Sequence, residues 1–301
     1  MDSRIDAKKK KKLKRVGVAY AYLSPTLILL LLLLLIPVAM VIGYSFFDNV
    51  IVEKNPTFIG IENYITVLTD KNFWGAVSHT IFFVLVSIAA HMILGMAFAL
   101  VLNTRYLGNR TKAVFRVLFA LPWMFTASVI AILWRMLLDP NGVLNYFIEV
   151  LHISDKEVLF LASRSLALKS VTLINIWSGY PFYMISILAG LQGISSDLYE
   201  AAAIDGAKSV KTFFYIIIPT LKPILISLIM LDFVWTLQQF ALIWMTTGGG
   251  PVNATETIST YIYKFAFTKY QYSLASTGAV ILLIACTIIG IFYVRNQIAE
   301  D

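Results

Sequence analysis

Six stretches of about 20 apolar residues, separated by polar connections, decide what this chain can become. A helix of that length crosses the hydrocarbon core of a bilayer, and only helices or closed barrels satisfy their backbone groups there. The stretches run from Pro25 to Phe47, Thr80 to Leu102, Ala113 to Leu138, Ser170 to Leu191, Pro223 to Met245 and Leu274 to Val294. With 59% hydrophobic and 14% charged residues, the chain lies outside the range of soluble domains. The expectation is an all-α polytopic membrane protein with six transmembrane helices. The first stretch, with its leucine run Leu29 to Leu35, follows a basic segment as a secretion signal would. It is too long for one, and no small-x-small cleavage site follows Pro37, so it is read as a retained span.

Lysine and arginine give the orientation. Of the 24 basic residues, eight crowd into Arg4 to Arg15, four lie in Arg105 to Arg116, three in Gly193 to Lys222, and one is Arg295. Alternate connections thus carry most of the positive charge, which places both termini in the cytoplasm. The net charge of +7 does not point to nucleic acid, because the basic run has no interleaved aromatics for base stacking. Residues 1–17 are read as a basic cytoplasmic segment and residues 18–301 as the membrane domain. On the outer side, Trp74, Tyr146, Tyr261, Tyr263 and Tyr270 suit the interface, and Thr246-Thr-Gly-Gly-Gly-Pro251 forces a turn after the fifth span. The single cysteine, Cys286, lies in an apolar run and allows neither a disulfide nor a zinc cluster.

Transport needs energy, yet no GxxxxGK[ST] phosphate loop is present; Gly206-Ala-Lys-Ser209 lacks the earlier glycine and the Gly-Lys adjacency. His79, His91 and His152 share no helical face, no HExxH or GxSxG occurs, and the chain is not read as an enzyme. His91, inside the second span, is assigned to a hydrogen bond with a neighbouring helix.

The polar island Glu200 to Pro219 lies between the fourth and fifth spans, in the connection 193–222. Asp197 followed by Glu200 makes a capping-box pattern that predicts a helix from about Leu198 through Ala201, Ala202 and Ala203, closed by Gly206 after the turn-favouring Asp205. A second helix is expected from Lys208 to Ile218, stopped by Pro219. A two-turn helix of mostly methyl side chains is marginal alone and calls for a groove in another surface; an ordinary loop helix packed on its own chain is the plainer alternative.

Two polar clusters sit within spans. Asp232, Thr236 and Gln239 follow i, i+4, i+7 and should share one face of the fifth helix, with Trp235 beside them and Gln238 at the edge. A carboxylate near mid-membrane costs several kcal/mol unless paired or wetted, so this face should line a cavity or bond to another helix. In the fourth span, Asn175-Ile-Trp-Ser-Gly-Tyr-Pro-Phe182 predicts a kink at Pro181, close approach at Gly179, and Trp177 and Tyr180 beside the kink. Aromatic faces next to amides and carboxylates suit sugars. Trp123, next to Pro122 in the third span, is assigned to the core, with a place in this lining as the alternative.

With these residues in view, the chain resembles the membrane (permease) subunits of bacterial binding-protein-dependent ABC importers. Glu200-Ala201-Ala202, Gly206, Ile216 and Pro219 fall at the spacing of that family's EAA loop, departing only in Ile218 where leucine is usual. Asp205-Gly206-Ala207, Phe213, and Thr247 to Pro251 followed by Thr255-Glu256-Thr257 look like the carbohydrate-uptake branch. Trp177, Gly179, Tyr180 and Pro181 look like the larger membrane subunit of maltose transporters. The resemblance implies a bacterial inner-membrane protein that binds no cofactor itself. Its Glu200 to Asp205 helix, with Gly206, would be a cytoplasmic coupling helix seated in one of two separate ATPase subunits that bind ATP and Mg. It also implies a second, usually different, membrane subunit and an extracytoplasmic solute-binding protein. Sugar contacts would fall on Asp232, Thr236 and Gln239, with Gly179 and Phe182 opposite; Asp232 and Thr236 stand where that subunit has smaller or amide-bearing residues, and Phe182 where it has tyrosine. Glycerol phosphate is the alternative solute, and an ion-gradient-driven transporter or channel the rival mechanism.

Overall fold

The computed structural model describes residues 18, 20–104, 106–154 and 156–298. The basic segment 1–17 and Arg105 lie outside the described residues. Among those described, the structure is helix and turn apart from one antiparallel bridge between Phe47 and Phe58. Five helices are long and apolar enough to cross a membrane: α1 (Tyr20–Tyr44), α3 (Lys71–Asn103), α7 (Ala167–Gln192), α9 (Ser209–Leu237) and α12 (Tyr272–Ile298). Between them come α2 (Glu62–Thr69), α4 (Asn109–Met124), α5 (Ala127–Leu137), α6 (Val143–Val150), α8 (Ser196–Ile204), α10 (Ala241–Thr246) and α11 (Ile258–Tyr263).

Three expectations need correction. The third span is not one helix: α4 and α5 meet at 97°. Pro122 lies two residues from the end of α4, Phe125 and Thr126 are extended, and the Thr126 hydroxyl accepts from Val129 N (3.4 Å), capping a new helix. The fifth span ends at Leu237 rather than Met245, because the chain turns through Gln238 to Phe240 before α10, where Phe240 packs against Trp244 (5.6 Å) and Tyr263 (4.6 Å). Tertiary packing there overrides an unbroken apolar pattern. Nor does Pro219 stop its helix. A wider π turn at Phe213–Ile217, with Ile218 N donating to Phe213 O, carries the chain past the proline into α9. The same device precedes Pro37: Leu31–Leu35 form a π turn in which Ile36 N donates to Leu31 O. A proline cannot donate to the carbonyl four residues back and its ring crowds that carbonyl, so a wider turn just before it keeps the helix continuous.

Contacts divide the chain into two compact units. One comprises the chain up to Val67 with Phe265–Leu283. In it the Asn63 amide donates to the carbonyls of Ser45 (3.0 Å) and Phe47 (2.9 Å), and Val50 N donates to Ser273 Oγ (3.2 Å). Leu31 to Tyr44 of α1 bury no residue, as suits a helix whose solvent is lipid.

The other unit, Leu68–Lys264 with the chain from Ile284, holds the candidate sites. Its centre is the α3–α7 pair. Asp70 caps α3 by accepting from Asn72 N (2.9 Å), which starts the helix nine residues before the expected Thr80. The two helices touch through reciprocal glycines. A Cβ on Gly95 would collide with the Cβ of Tyr183 and reach Met184 N at 3.0 Å, and one on Gly179 would enter the His91 ring. Small residues let membrane helices approach, and here they seat a tyrosine and a histidine side chain. Tyr183, Met184, Ile187, Leu191 and Leu221 are fully buried around this seam.

Gly95→Ala should therefore lower the midpoint of thermal unfolding through overpacking of about 1–3 kcal/mol. Gly43→Ala, where a Cβ meets nothing within 4 Å, should leave it unchanged or raise it slightly. Scanning fluorimetry of the two purified variants against the parent checks the contrast.

Candidate functional site

The segment after α7 is built from local rules. Ser195, not Asp197, caps α8: its hydroxyl accepts from Asp197 N (3.3 Å), so the helix begins at Ser196, two residues before the expected start. Asp197 falls in the first turn, where a negative charge complements the helix dipole. At the other end Gly206 has φ +72°, Gly206 N donates to Ala203 O (3.1 Å), and Ala207 N donates to Ala202 O (2.8 Å). This Schellman closure needs a left-handed residue, and a Cβ at Gly206 would meet nothing, so backbone conformation rather than space demands glycine. Ala202 is buried and Tyr199 packs on the bundle core, its buried hydroxyl without a partner among the described residues and its phenol pushed up by burial. Glu200, Ala201, Asp205 and Gly206 face away, beside Ile204 (86% exposed).

Asp232 is not on an open face. Its Oδ2 accepts from His91 Nδ1 (2.8 Å) and the Tyr183 hydroxyl (3.0 Å), and its Oδ1 accepts from the Thr236 hydroxyl (2.8 Å). His91 Nε2 lies 3.1 Å from the Asn175 carbonyl, and the Asn175 amide donates to Ser87 Oγ (3.0 Å). The pair is closed off, with side-chain exposures of 2% for His91 and 9% for Asp232. Both imidazole nitrogens face oxygens. Of the two settings its sequence context allowed, a cavity lining or a bond to another helix, Asp232 has the second: three spans, α3, α7 and α9, meet on it.

Gln239 leaves the Asp232 and Thr236 face, because α9 ends at Leu237; its side chain is half-buried in the following turn. Gly179 is the seat of His91. Tyr180 is buried and its hydroxyl donates to the Phe119 carbonyl (3.2 Å), while Trp177 packs edge-on to Trp134 (5.5 Å). Phe182 differs: it stacks on Trp123 (5.8 Å, 29° between planes) and tilts against Trp235 (5.4 Å). Trp123 and Trp235 are 49% and 51% exposed, so Trp123 belongs to an aromatic surface rather than to the core. Sequence reading missed Tyr183 and the specific tie from His91 to Asp232; the signal was a second ionisable residue in an apolar span, which requires a partner.

His91→Leu should leave the Asp232 carboxylate buried and unpaired, a loss of about 3–5 kcal/mol, whereas His91→Leu with Asp232→Leu should recover most of it. Thermal unfolding of the purified single and double variants measures the difference; equal losses would contradict the pairing.

Residues 91–297 match the family described as binding-protein-dependent transport system inner membrane component. A trehalose/maltose transport system permease of Thermococcus litoralis is 32% identical over 260 residues, 86% of each chain. A multiple sugar-binding transport system permease of Streptococcus mutans is 31% identical over 256 residues, 84% of this chain and 85% of that one. Among solved structures, a chain of a bacterial ABC transporter that imports the acidic polysaccharide alginate superposes with a TM-score of 0.83 at 24% identity, covering 97% of this chain and 98% of that one, which bears on the fold alone. Together with the six apolar stretches and the capped segment at Glu200 to Gly206, the family match makes this chain a member of the inner-membrane components of binding-protein-dependent transport systems.

Proposed function

We propose that the chain is the path-forming membrane subunit of an ATP-driven importer for a sugar or oligosaccharide, with α8 seated in a separate cytoplasmic ATPase that binds ATP and Mg. The observation that carries this is the outward surface of the α8 segment, where Glu200, Asp205 and the apolar Ile204 are exposed while Tyr199 and Ala202 anchor the helix to the bundle. An exposed apolar helix end with a fixed exit angle is a surface made for a partner. In this reading both termini are cytoplasmic, a second membrane subunit completes the path, and an extracytoplasmic binding protein delivers the solute. The sugar-transport relatives support the solute class.

The solute wall is assigned to Phe182, with Trp123 and Trp235, and to Gln239 at its edge. Stacked aromatic faces at the surface of a bundle offer CH contacts to a sugar ring. Asp232, Thr236 and Gly179 are engaged in the buried contacts that join α3, α7 and α9, while Trp177 packs on Trp134 and Tyr180 bonds to Phe119. ATP-driven closure of the ATPases on α8 would turn the α7 and α9 helices and open the path.

The His91–Asp232 pair is the one observation that favours an ion-gradient mechanism, since such transporters use intramembrane ionisable pairs. Uptake measured after ATP depletion with ion gradients intact separates the two: continued uptake would overturn the ATP-driven reading. Glycerol phosphate in place of sugar is tested by competition in the same assay. Proline cannot adopt the Gly206 φ, so Gly206→Pro should leave the subunit in the membrane but abolish co-purification of the ATPase. Trp123→Ala, Phe182→Ala and Trp235→Ala should each cut uptake about tenfold, the effect of losing roughly 1–1.5 kcal/mol of stacking, with ATPase co-purification unchanged.

A further inference from the structure

We propose that the ends of α3 and α7 remote from α8 form a binding site for the phosphodiester headgroup of an anionic phospholipid. A cavity of about 510 Å³ opens there, with Lys71, His79 and Phe82 from α3, Arg164 and Lys169 at the start of α7, and Asn253 from the turn after α10 among its lining residues. Among the described residues, the side chains of Lys71, Arg164 and Lys169 make no ion pair or hydrogen bond, and no carboxylate lines the cavity. The nearby carboxylates are engaged: Glu256 pairs with Lys264 (2.8 Å), and Asp70 accepts from Asn72 N (2.9 Å) and the Tyr261 hydroxyl (2.8 Å). His79 is fixed by its Nδ1, 3.1 Å from the Glu256 carbonyl. The N-terminal end of α7, a helix of 26 residues, adds positive potential to that of the three cations, whereas the Asp70 cap offsets that of α3.

The direction of the cavity separates a lipid from a free anion. Lys71, Gly75, His79 and Phe82 lie at successive turns along one side of α3. They run from the charged end to a 39% exposed phenylalanine, about 16 Å further into a helix long and apolar enough to span a membrane. Leu168 lines the α7 side. Cations at one end and apolar side chains at the other fit a phosphodiester above its acyl chains. A free oxyanion would use only the charged end. Basic residues at the end of a span meet headgroups in any bilayer; the cavity and the fixed imidazole make this a site rather than a general attraction.

The test uses the assembled transporter, purified and reconstituted in nanodiscs of phosphatidylcholine with a minority of phosphatidylglycerol, with retained lipid counted by native mass spectrometry after detergent release. The parent should retain phosphatidylglycerol in preference to phosphatidylcholine. Lys71→Gln, Arg164→Gln and Lys169→Gln combined should weaken that preference on the order of a hundredfold, and Lys169→Gln alone about fivefold. Phe82→Ala should reduce phosphatidylglycerol retention while leaving inorganic phosphate binding to phosphatidylcholine nanodiscs unaltered. All four positions are exposed, and unchanged ATPase co-purification confirms folding; the single variants give the readout if the triple does not assemble. Equal retention by parent and variants would overturn the proposal. So would displacement of phosphatidylglycerol by glycerol 3-phosphate at matched concentration, which would mark a site for free anions. Loss of binding-protein capture with lipid retention unchanged would also overturn it, by assigning the cations to a protein carboxylate.

Discussion

The arrangement of this bundle depends on one buried histidine–aspartate pair, His91 and Asp232. A carboxylate placed among apolar helices has no water to solvate it, and Asp232 is tolerated because His91, Tyr183 and Thr236 supply its hydrogen bonds from three helices at once. The requirement propagates. His91 reaches Asp232 only because Gly179 leaves its ring a place on α7, and the same close approach is matched by Gly95 beneath Tyr183. Between helices that gain little from hydrophobic association inside a lipid solvent, such satisfied polar contacts and glycine-permitted approaches fix which faces meet.

That rigid seam separates two surfaces of different character. On one side Trp123, Phe182 and Trp235 lean together, with the two tryptophans half exposed. At the α8 end a closed, capped helix turns Glu200, Ile204 and Asp205 outward. α7 joins the two regions within one unbroken helix, since Phe182 lies ten residues before its end at Gln192 and α8 begins four residues later. In the proposed coupling, a displacement of α8 would be transmitted through helix backbone and packed side chains rather than through a long loop.

Much of this was legible in the sequence. Apolar length gave the spans, because the bilayer imposes it, and Gly206 ended α8 as expected because a left-handed closure has few alternatives. Asp232 was recognised as a group in need of a partner. The partner itself was not legible: His91 lies 141 residues away, and no local pattern connects the two. Gln239 was misplaced for a related reason, since the periodicity of Asp232 and Thr236 continues through it in the sequence while the helix ends at Leu237 under the packing of Phe240 with Trp244 and Tyr263. The bend between α4 and α5 was masked by unbroken hydrophobicity, although Pro122 and Thr126 mark its place in retrospect.

The π turn at Phe213–Ile217 sets a constraint of length rather than of composition. One additional residue in a helical turn advances every later side chain by about 100° around the axis. Removing a single residue there would leave Asp232 and Thr236 in place on the bundle but swing the chain leading back to α8 by that angle, presenting a different side of the segment to its surroundings. Any apolar residue that tolerates a wide turn can occupy these five positions, but the number of positions is fixed by the need to aim both ends at once.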